Sequence, residues 1–366
     1  MAKVLLLEPY AARSHLAWIE GLRAYSRHAI DALTMPARKW KWRMRGSAVH
    51  LAKELLDREP PQVLLTTDFL NLAELVAIGP TWLRTVPKLL YFHENQLTYP
   101  LPDESERDYQ YAFTHLTSCL AADRVAFNSD YHRRTFLAAL EGLLRRMPDC
   151  QPLWAAPAIK ARSDVLPVGF DPKAIDRARH LRAERTGPLR ILWNHRWEYD
   201  KDPETFFAVL FDLAEAGVPF AVSVLGETFR TAPPIFETAR ERLGDRIAGW
   251  GFVAERAAYT EALSASDVAI STARHEFFGL AVVEAVAAGC YPLLPDRLTY
   301  PDLLPAEFHR RHLYADAADL AGRLRWCAQQ VAEVRATDLA PAVQRFAWPA
   351  LIGQYDEALA ALAASR

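Results

Sequence analysis

Glu276 and Glu284 lie eight positions apart, separated by six apolar residues and Gly279. Upstream, Ser266-Asp267-Val268-Ala269-Ile270-Ser271 reads as a buried strand; downstream, an apolar run ends at Gly289, a helix-stop signal. The order strand, loop, helix puts Glu276 in the loop and Glu284 roughly a turn and a half into the helix. Phe278, Gly279 and Leu280 open that helix, where unpaired N–H groups and the helix dipole favour an anion such as a phosphate. A carboxylate on each side of an anion site suits the two hydroxylated groups that flank the diphosphate of a nucleotide-sugar. The same residues also fit a capping Glu276 and a Glu284 on an ordinary polar helix face, so other segments must decide.

Arg196 and Lys201 follow the apolar run 189–193. Two cations at the carboxyl end of a strand suit a diphosphate leaving group, since Arg offers a fork and Lys a point charge. Asp200-Lys201-Asp202 has the form of an Asp-x-Asp metal motif, but Asp202-Pro203-Glu204 reads as a helix start, which favours capping over metal binding. Gly226 and Gly251-Phe252-Val253 end strands at glycine turns, which allow backbone to approach a ligand and are also ordinary strand exits. In the first half, His93-Glu94-Asn95-Gln96 leaves the strand 88–92. His93 either orients a substrate there or is a hydrogen-bonded loop histidine.

A different chemistry is written at 36–45. Arg38, Lys39, Trp40, Lys41, Trp42, Arg43 and Arg45 put five cations and two tryptophans within eight positions. The spacing suits neither an amphipathic helix nor a core strand. Cations neutralise phosphates and indole faces stack on bases, so the segment is a candidate nucleic-acid surface. The alternative is a solvated loop whose tryptophans fold back onto the domain.

These residues need a scaffold. Strand-like runs at 3–7, 29–34, 63–66, 88–92, 125–128 and 164–166 alternate with helical patterns, and the series restarts at 189–193, 220–225, 247–249, 268–271 and 291–294. Alternation of this kind predicts parallel, doubly wound sheets, and two series predict two Rossmann-like domains. The expected division is an N-terminal domain 1–172, a linker 173–188, a C-terminal domain 189–345 and a closing helix 346–366. Ligands of such sheets lie off the carboxyl ends of the strands. That places 8–15, 93–96, 196–201, 226–229 and Glu276 on ligand-lining loops.

Composition sets bounds. At 51% hydrophobic residues the chain supports two cores, and a net charge of −2 gives no global nucleic-acid signature. The longest apolar runs fall far short of the ~20 residues a membrane span needs. The run Val4–Leu7 is interrupted too soon for a signal peptide, and Cys119, Cys150, Cys290 and Cys327 lack metal-ligand spacing, so a reduced, cytoplasmic protein is the expectation.

Taken in order and spacing, Arg196…Lys201, Gly251-Phe252-Val253 and Glu276-x7-Glu284 resemble the retaining glycosyltransferases of the family 4 type across the second half of the chain. The resemblance implies a GT-B fold, α/β, with two Rossmann-like doubly wound domains facing a central cleft, and no metal or other cofactor. It implies Arg196 and Lys201 on the donor diphosphate, Glu276 on the donor sugar and Glu284 on the ribose. Gly251, Phe252, Phe278, Gly279 and Leu280 are the remaining donor-side candidates, and His93 joins Glu276, Arg196 and Lys201 in the candidate catalytic set. Where this family has a glycine-rich loop, this chain has Ala11-Ala12-Arg13, which would resist a left-handed backbone.

The segments 36–45, 91–96 and 106–111 further resemble the tRNA-queuosine mannosyltransferase branch. That resemblance implies transfer of mannose from GDP-mannose to the cyclopentene of queuosine at the wobble position of aspartate tRNA, with an α-linked product. Ser14, His15, Arg38, Lys39, Trp40, Lys41, Trp42, Arg43, Arg45, Asn95 and Gln96 are then the acceptor-side candidates, with no membrane or protein partner inferred. Two alternatives stand beside it. One is a family 4 enzyme with another nucleotide-sugar or a lipid or small-molecule acceptor. The other is a non-catalytic RNA-binding protein on a glycosyltransferase scaffold.

Overall fold

The structure, a computed structural model, describes every residue except Pro102, Ala183, Phe229, Arg230, Thr231 and Arg366. Phe229, expected on a ligand-lining loop, is therefore outside the described residues. The chain forms two compact units, Met1–Gly169 with Trp348–Arg366, and Phe170–Ala347.

Unit 1 is built on β1 (Lys3–Ala11), β2 (Ala29–Pro36), β3 (Val63–Thr67), β4 (Lys88–Phe92), β5 (Arg124–Phe127) and β6 (Ser163–Val165). They form one parallel sheet in the order β2-β1-β3-β4-β5-β6. Val4-Leu5-Leu6-Leu7 and Val63-Leu64-Leu65 are continuous apolar runs because both faces of a parallel sheet are covered by helices. Unit 2 repeats the plan with β7 (Leu189–Trp193), β8 (Phe220–Leu225), β9 (Ile247–Gly251), β10 (Val268–Ile270), β11 (Tyr291–Pro295) and β12 (Leu313–Tyr314), ordered β12-β11-β10-β7-β8-β9. The two-residue β12 carries no periodic signal and is absent from the sequence reading. In each unit the first strand is where the strand order reverses, so the topological switch points lie between β1 and β3 and between β7 and β10. Ligand crevices of doubly wound sheets form at such points.

The division differs from the expected one at both of its edges. Pro172–Leu181 is a helix of unit 2, capped by Asp171, burying Ile175 and Ala178 and packed on the helix Arg256–Ala265. Its charges sit on the outer face, which hid its periodicity from a linker reading. The last helix, Trp348–Ala364, belongs to unit 1. Trp348 lies over Gly21 and Gly169, Trp18 Nε1 donates to Tyr355 Oη at 3.1 Å, and Tyr355 Oη donates to the Pro167 carbonyl at 2.8 Å.

Candidate functional site

At the switch point of unit 2, β7 delivers Asn194 and His195, and β10 delivers Ser271 to Glu276. The two loops are laced together. Trp193 Nε1 donates to Thr272 Oγ1 at 3.3 Å, and Thr272 Oγ1 donates to the carbonyls of Lys201 and Asp202 at 2.8 and 3.0 Å. Arg274 N–H returns a bond to the Asp200 carbonyl at 2.8 Å. Lys201, on the short 3-10 turn Tyr199–Lys201, is thereby held under the 271–276 loop. Its Nζ donates to the His275 carbonyl at 2.8 Å and lies 3.1 Å from Asp200 Oδ2 and 3.4 Å from Glu276 Oε2.

The electrostatics follow from this packing. Burial opposes the charged form of both partners, yet Lys201, with His195 and His275 nearby, holds the Glu276 carboxyl down at about 2. Glu276 and Asp200 in turn raise the Lys201 ammonium above its ordinary value. Burial and then Lys201 push His195 and His275 down to about 4, so both rings are neutral. Arg196 is half exposed and pairs with Glu198 at 3.0 Å; its charge acts on both Lys201 and His275.

Asp202 is a cap. It takes a left-handed φ of 51°, accepts from Thr205 N and Oγ1 at 3.4 and 2.9 Å, and pairs with Arg274 at 2.8 Å. Asp202 is thus turned to the helix, and Asp200 Oδ2 lies beside the Lys201 ammonium.

Gly279 opens the helix Leu280–Ala287 with φ 88°, a conformation closed to most side chains, and that N-terminus has no side-chain cap. Just before it, Glu276 Oε1 accepts the Phe278 N–H at 3.4 Å, so the helix N-terminus lies beside the Glu276–Lys201 pair. Glu284, on the same helix, is buried and receives Arg256 Nη2 at 2.5 Å. Arg256 stacks over Tyr259, whose hydroxyl accepts from Asn194 Nδ2 at 3.0 Å; Asn194 Nδ2 also reaches the Ala281 carbonyl at 2.9 Å. Gly226 approaches the turn so closely that a Cβ would fall 1.8 Å from the His195 carbonyl oxygen. Gly251, with φ 95°, ends β9 and leaves Phe252 exposed.

Unit 1 carries a second cluster at its own switch point. Glu8 on β1 is fully buried, His15 follows on the helix Arg13–Tyr25, Asp68 leaves β3 and His93 leaves β4. Asp68 Oδ1 accepts the His93 N–H at 2.9 Å, and Asn128 Nδ2 donates to the His93 carbonyl at 2.8 Å, so the His93 backbone is held from both sides. Burial and then Glu94 raise the Asp68 carboxyl well above its ordinary range. Ligand atoms of Glu8, His15 and His93 lie within 4.8 Å of one another, as in a metal triad. The rings of His15 and His93 are stacked, however, with centroids 3.9 Å apart and planes 18° from parallel. Lone pairs lie in the ring planes, so two stacked rings cannot both aim at one ion about 2 Å from each nitrogen. The arrangement is a hydrogen-bonded cluster.

Several acceptor-side expectations change. Ala11 ends β1 and Ala12 has φ −68°, so this loop needs no left-handed residue and alanines fit where glycines were expected. Ser14 is exposed and His15 buried. Asn95 is spent on its own turn, accepting from Leu97 N and Thr98 N and donating to Thr98 Oγ1. Gln96 Nε2 bonds Glu94 at 2.8 Å.

The basic segment opens a helix, Trp40–Glu54, although its spacing suits neither an amphipathic helix nor a core strand. Tertiary packing overrides the poor periodicity. Trp40 packs against Tyr111 at 5.1 Å and Met44 is buried beside Phe69, and these contacts anchor the first turns. Trp42 stays 64% exposed, with Arg38, Lys39, Lys41 and Arg45 also exposed. Arg43 Nε donates to the Pro36 carbonyl at 3.1 Å, and Arg45 lies over Tyr111.

The sequence reading put Glu8 on a ligand-lining loop without giving it a role, and it missed Asp68, Asn194, His195, Arg256 and Tyr259 as site residues. Glu8 had a signal, a lone carboxylate in an apolar strand run, and Asp68 and His195 stand at strand exits as His93 does.

A family model described as "tRNA-queuosine alpha-mannosyltransferase N-terminal" matches residues 3–170. The tRNA-queuosine alpha-mannosyltransferase of Drosophila melanogaster is 38% identical over 312 residues, which are 83% of this chain and 82% of that protein. Among solved structures, sucrose-phosphate synthase from Thermosynechococcus elongatus superposes with a TM-score of 0.75 at 17% identity over all of both chains. Anabaena HepE in complex with UDP and glucose superposes with a TM-score of 0.69 at 14% identity, over 99% of this chain and 100% of that one. At such identities the likeness concerns the fold alone, which is GT-B.

Proposed function

The chain belongs to the tRNA-queuosine alpha-mannosyltransferases, and from that membership we propose that it transfers mannose from GDP-mannose to queuosine at the wobble position of aspartate tRNA. It is a glycosyltransferase of the GT-B fold. The observation that carries the donor side is the Lys201–Glu276 pair beside the uncapped N-terminus at Gly279. A diphosphate there would meet the Lys201 ammonium, the Arg196 guanidinium and the N–H groups of Gly279 and Leu280, while the Phe278 N–H is held by Glu276 Oε1 at 3.4 Å. Glu276 would take sugar hydroxyls. Glu284, now paired with Arg256, would take the ribose, and Gly251 and Phe252 would border the nucleotide.

With retention of configuration, a front-face reaction needs no protein nucleophile. The donor phosphate oxygen would accept the proton of the incoming hydroxyl while Arg196 and Lys201 stabilise the departing GDP. Because these two cations supply the positive charge, donor binding is expected to be independent of divalent metal. In unit 1, His93 and His15 would hold the acceptor.

The exposed cations and Trp42 on the helix Trp40–Glu54 would bind the tRNA. Lys39 and Lys41 flank the positive end of that helix dipole, an arrangement that destabilises a free helix and strengthens attraction for a phosphate backbone. The test is transfer of labelled mannose from GDP-mannose to queuosine-containing tRNA, with UDP- and ADP-sugars and queuosine-free tRNA as comparators. Transfer to a lipid or small sugar alone would overturn the acceptor. RNA binding without nucleotide-sugar binding would overturn the enzyme reading of this site.

A further inference from the structure

Glu8 has no task in the site as proposed, yet it is fully buried beside His15 and His93. Its Oε1 accepts the Tyr10 N–H at 2.8 Å. Its Oε2 shares a hydrogen bond with His15 Nδ1 at 3.0 Å and lies 4.0 Å from His93 Nε2. The imidazoles face each other at 3.9 Å, and His93 is further bounded by the edges of Trp18 and Tyr91, each 4.8 Å away. Two imidazolium rings at that separation repel strongly in so dry a site, so the stack holds one proton in excess of neutrality, not two. The carboxylate is in hydrogen-bond contact with one ring and out of contact with the other. That difference selects the ring.

We infer that Glu8 is a positioning residue, which assigns the proton of the stack to His15 and leaves His93 a neutral ring in the Nε2–H tautomer, with Nδ1 as its acceptor for a substrate hydroxyl. The inference rests on the reading of His15 and His93 as acceptor-side residues. The tautomer follows from the carboxylate facing Nε2, which favours a hydrogen on that nitrogen.

The other groups that face the stack are Asp68 beyond β3, Glu94 beyond β4 and His132 on the helix Asp130–Leu144. Burial opposes charge on His15, but Glu8, helped by Asp68 and Glu94, overcomes it and raises that ring. Burial, then His15, then His132 lower His93 well below the ordinary imidazole value. The His15 cation is therefore present below its raised value and is lost as pH rises through it.

The experiment is an NMR titration of the full chain carrying nitrogen-15 in its histidine rings, with Glu8→Gln as the variant, alongside the pH profile of kcat/KM for queuosine-containing tRNA. In the unaltered protein His15 should titrate above the ordinary imidazole range, and His93 should show the Nε2–H pattern throughout. In Glu8→Gln, His15 should titrate lower by about one pH unit or more, and the alkaline limb of kcat/KM should move down with it, so that activity recovers as pH falls. GDP binding by the variant reports that it is folded. If it does not fold, the titration and tautomer in the unaltered chain decide. An unmoved His15 titration, an Nδ1–H His93, or a uniform loss of activity with an unchanged pH profile overturns the inference. Failure of the unaltered protein to modify tRNA overturns the acceptor reading and leaves the proton assignment to be decided by NMR.

Discussion

The Lys201 ammonium lies 3.4 Å from the Glu276 carboxylate across 75 positions of sequence, on loops leaving two strands that meet at the switch point of unit 2. Each charge is the main reason the other tolerates burial. Removing one leaves the other buried and unpaired, which costs more than the pair contributes.

Lys201→Met should therefore lower stability by roughly 2–3 kcal/mol, near the low end for a broken buried pair because Glu276 keeps part of its side chain in water. GDP binding should fall at least about tenfold, since a diphosphate loses a charge-assisted bond. Adding Glu276→Gln should recover part of the stability and none of the GDP affinity. Urea unfolding and titration calorimetry of the three variants check this; independent, additive effects would show that the pair is not coupled.

Asp202 separates capping from metal binding. Asp202→Ala loses the cap and strains a left-handed position, and should cost about 1–2 kcal/mol, whereas Asp202→Gly keeps the backbone and should cost less. GDP affinity of the unaltered protein should be the same with excess chelator or magnesium. A chelator-sensitive affinity, abolished equally by both substitutions, would point to a metal at Asp200 and Asp202 instead.

The pH dependence of stability has a definite sign. His195, His275 and His312 are all pushed down to about 4, by burial first and nearby cations after it. The stability these neutral rings contribute is fully present above the ordinary imidazole value of 6.5 and is lost as pH falls through about 4. Glu276, held at about 2, adds a further loss below the ordinary carboxyl value of 4.5. The urea midpoint should fall as pH drops across the histidine window, with a separate loss on the alkaline side as the raised His15 ring gives up its proton, and His195→Gln should flatten the acid slope. An unchanged slope would mean His195 is not a buried neutral ring.

The two tryptophans of the basic helix should behave oppositely. Trp40 is packed on Tyr111, and Trp40→Ala should destabilise the chain by about 2 kcal/mol or more, as for other large-to-small changes in packed clusters. Trp42 is exposed, and Trp42→Ala should leave the melting temperature unchanged while weakening tRNA binding by about 1–3 kcal/mol if a base stacks on it. Lys41→Ala should weaken binding to every tRNA alike and lower the salt slope by about one. Fluorescence anisotropy across salt concentrations, with GDP binding as the control, separates these effects.

How much of this was legible depends on the range of the interaction. Among the described residues, every strand but the two-residue β12 matches a strand-like run read from the sequence, and the alternation of those runs with helices specified parallel doubly wound sheets. Gly279 and the Asp202-Pro203 start were readable because left-handed turns and caps are local demands on one residue type. The basic helix was misread because its first turns are held by Trp40 and Met44 packing on Tyr111 and Phe69, neighbours distant in sequence.

By itself, then, the sequence determined most of the strands, the two-sheet plan and the residue types that can hold a diphosphate or face an RNA. Local propensity and periodicity suffice for those. Only the tertiary structure decided which charges neutralise one another: Lys201 with Glu276, Arg256 with Glu284, Asp202 with Arg274, and Glu8 with His15. Those pairings arise where sheet topology brings strand ends together. Electrostatic energy depends on distance in space and on exclusion of water, and neither is a property of position along the chain.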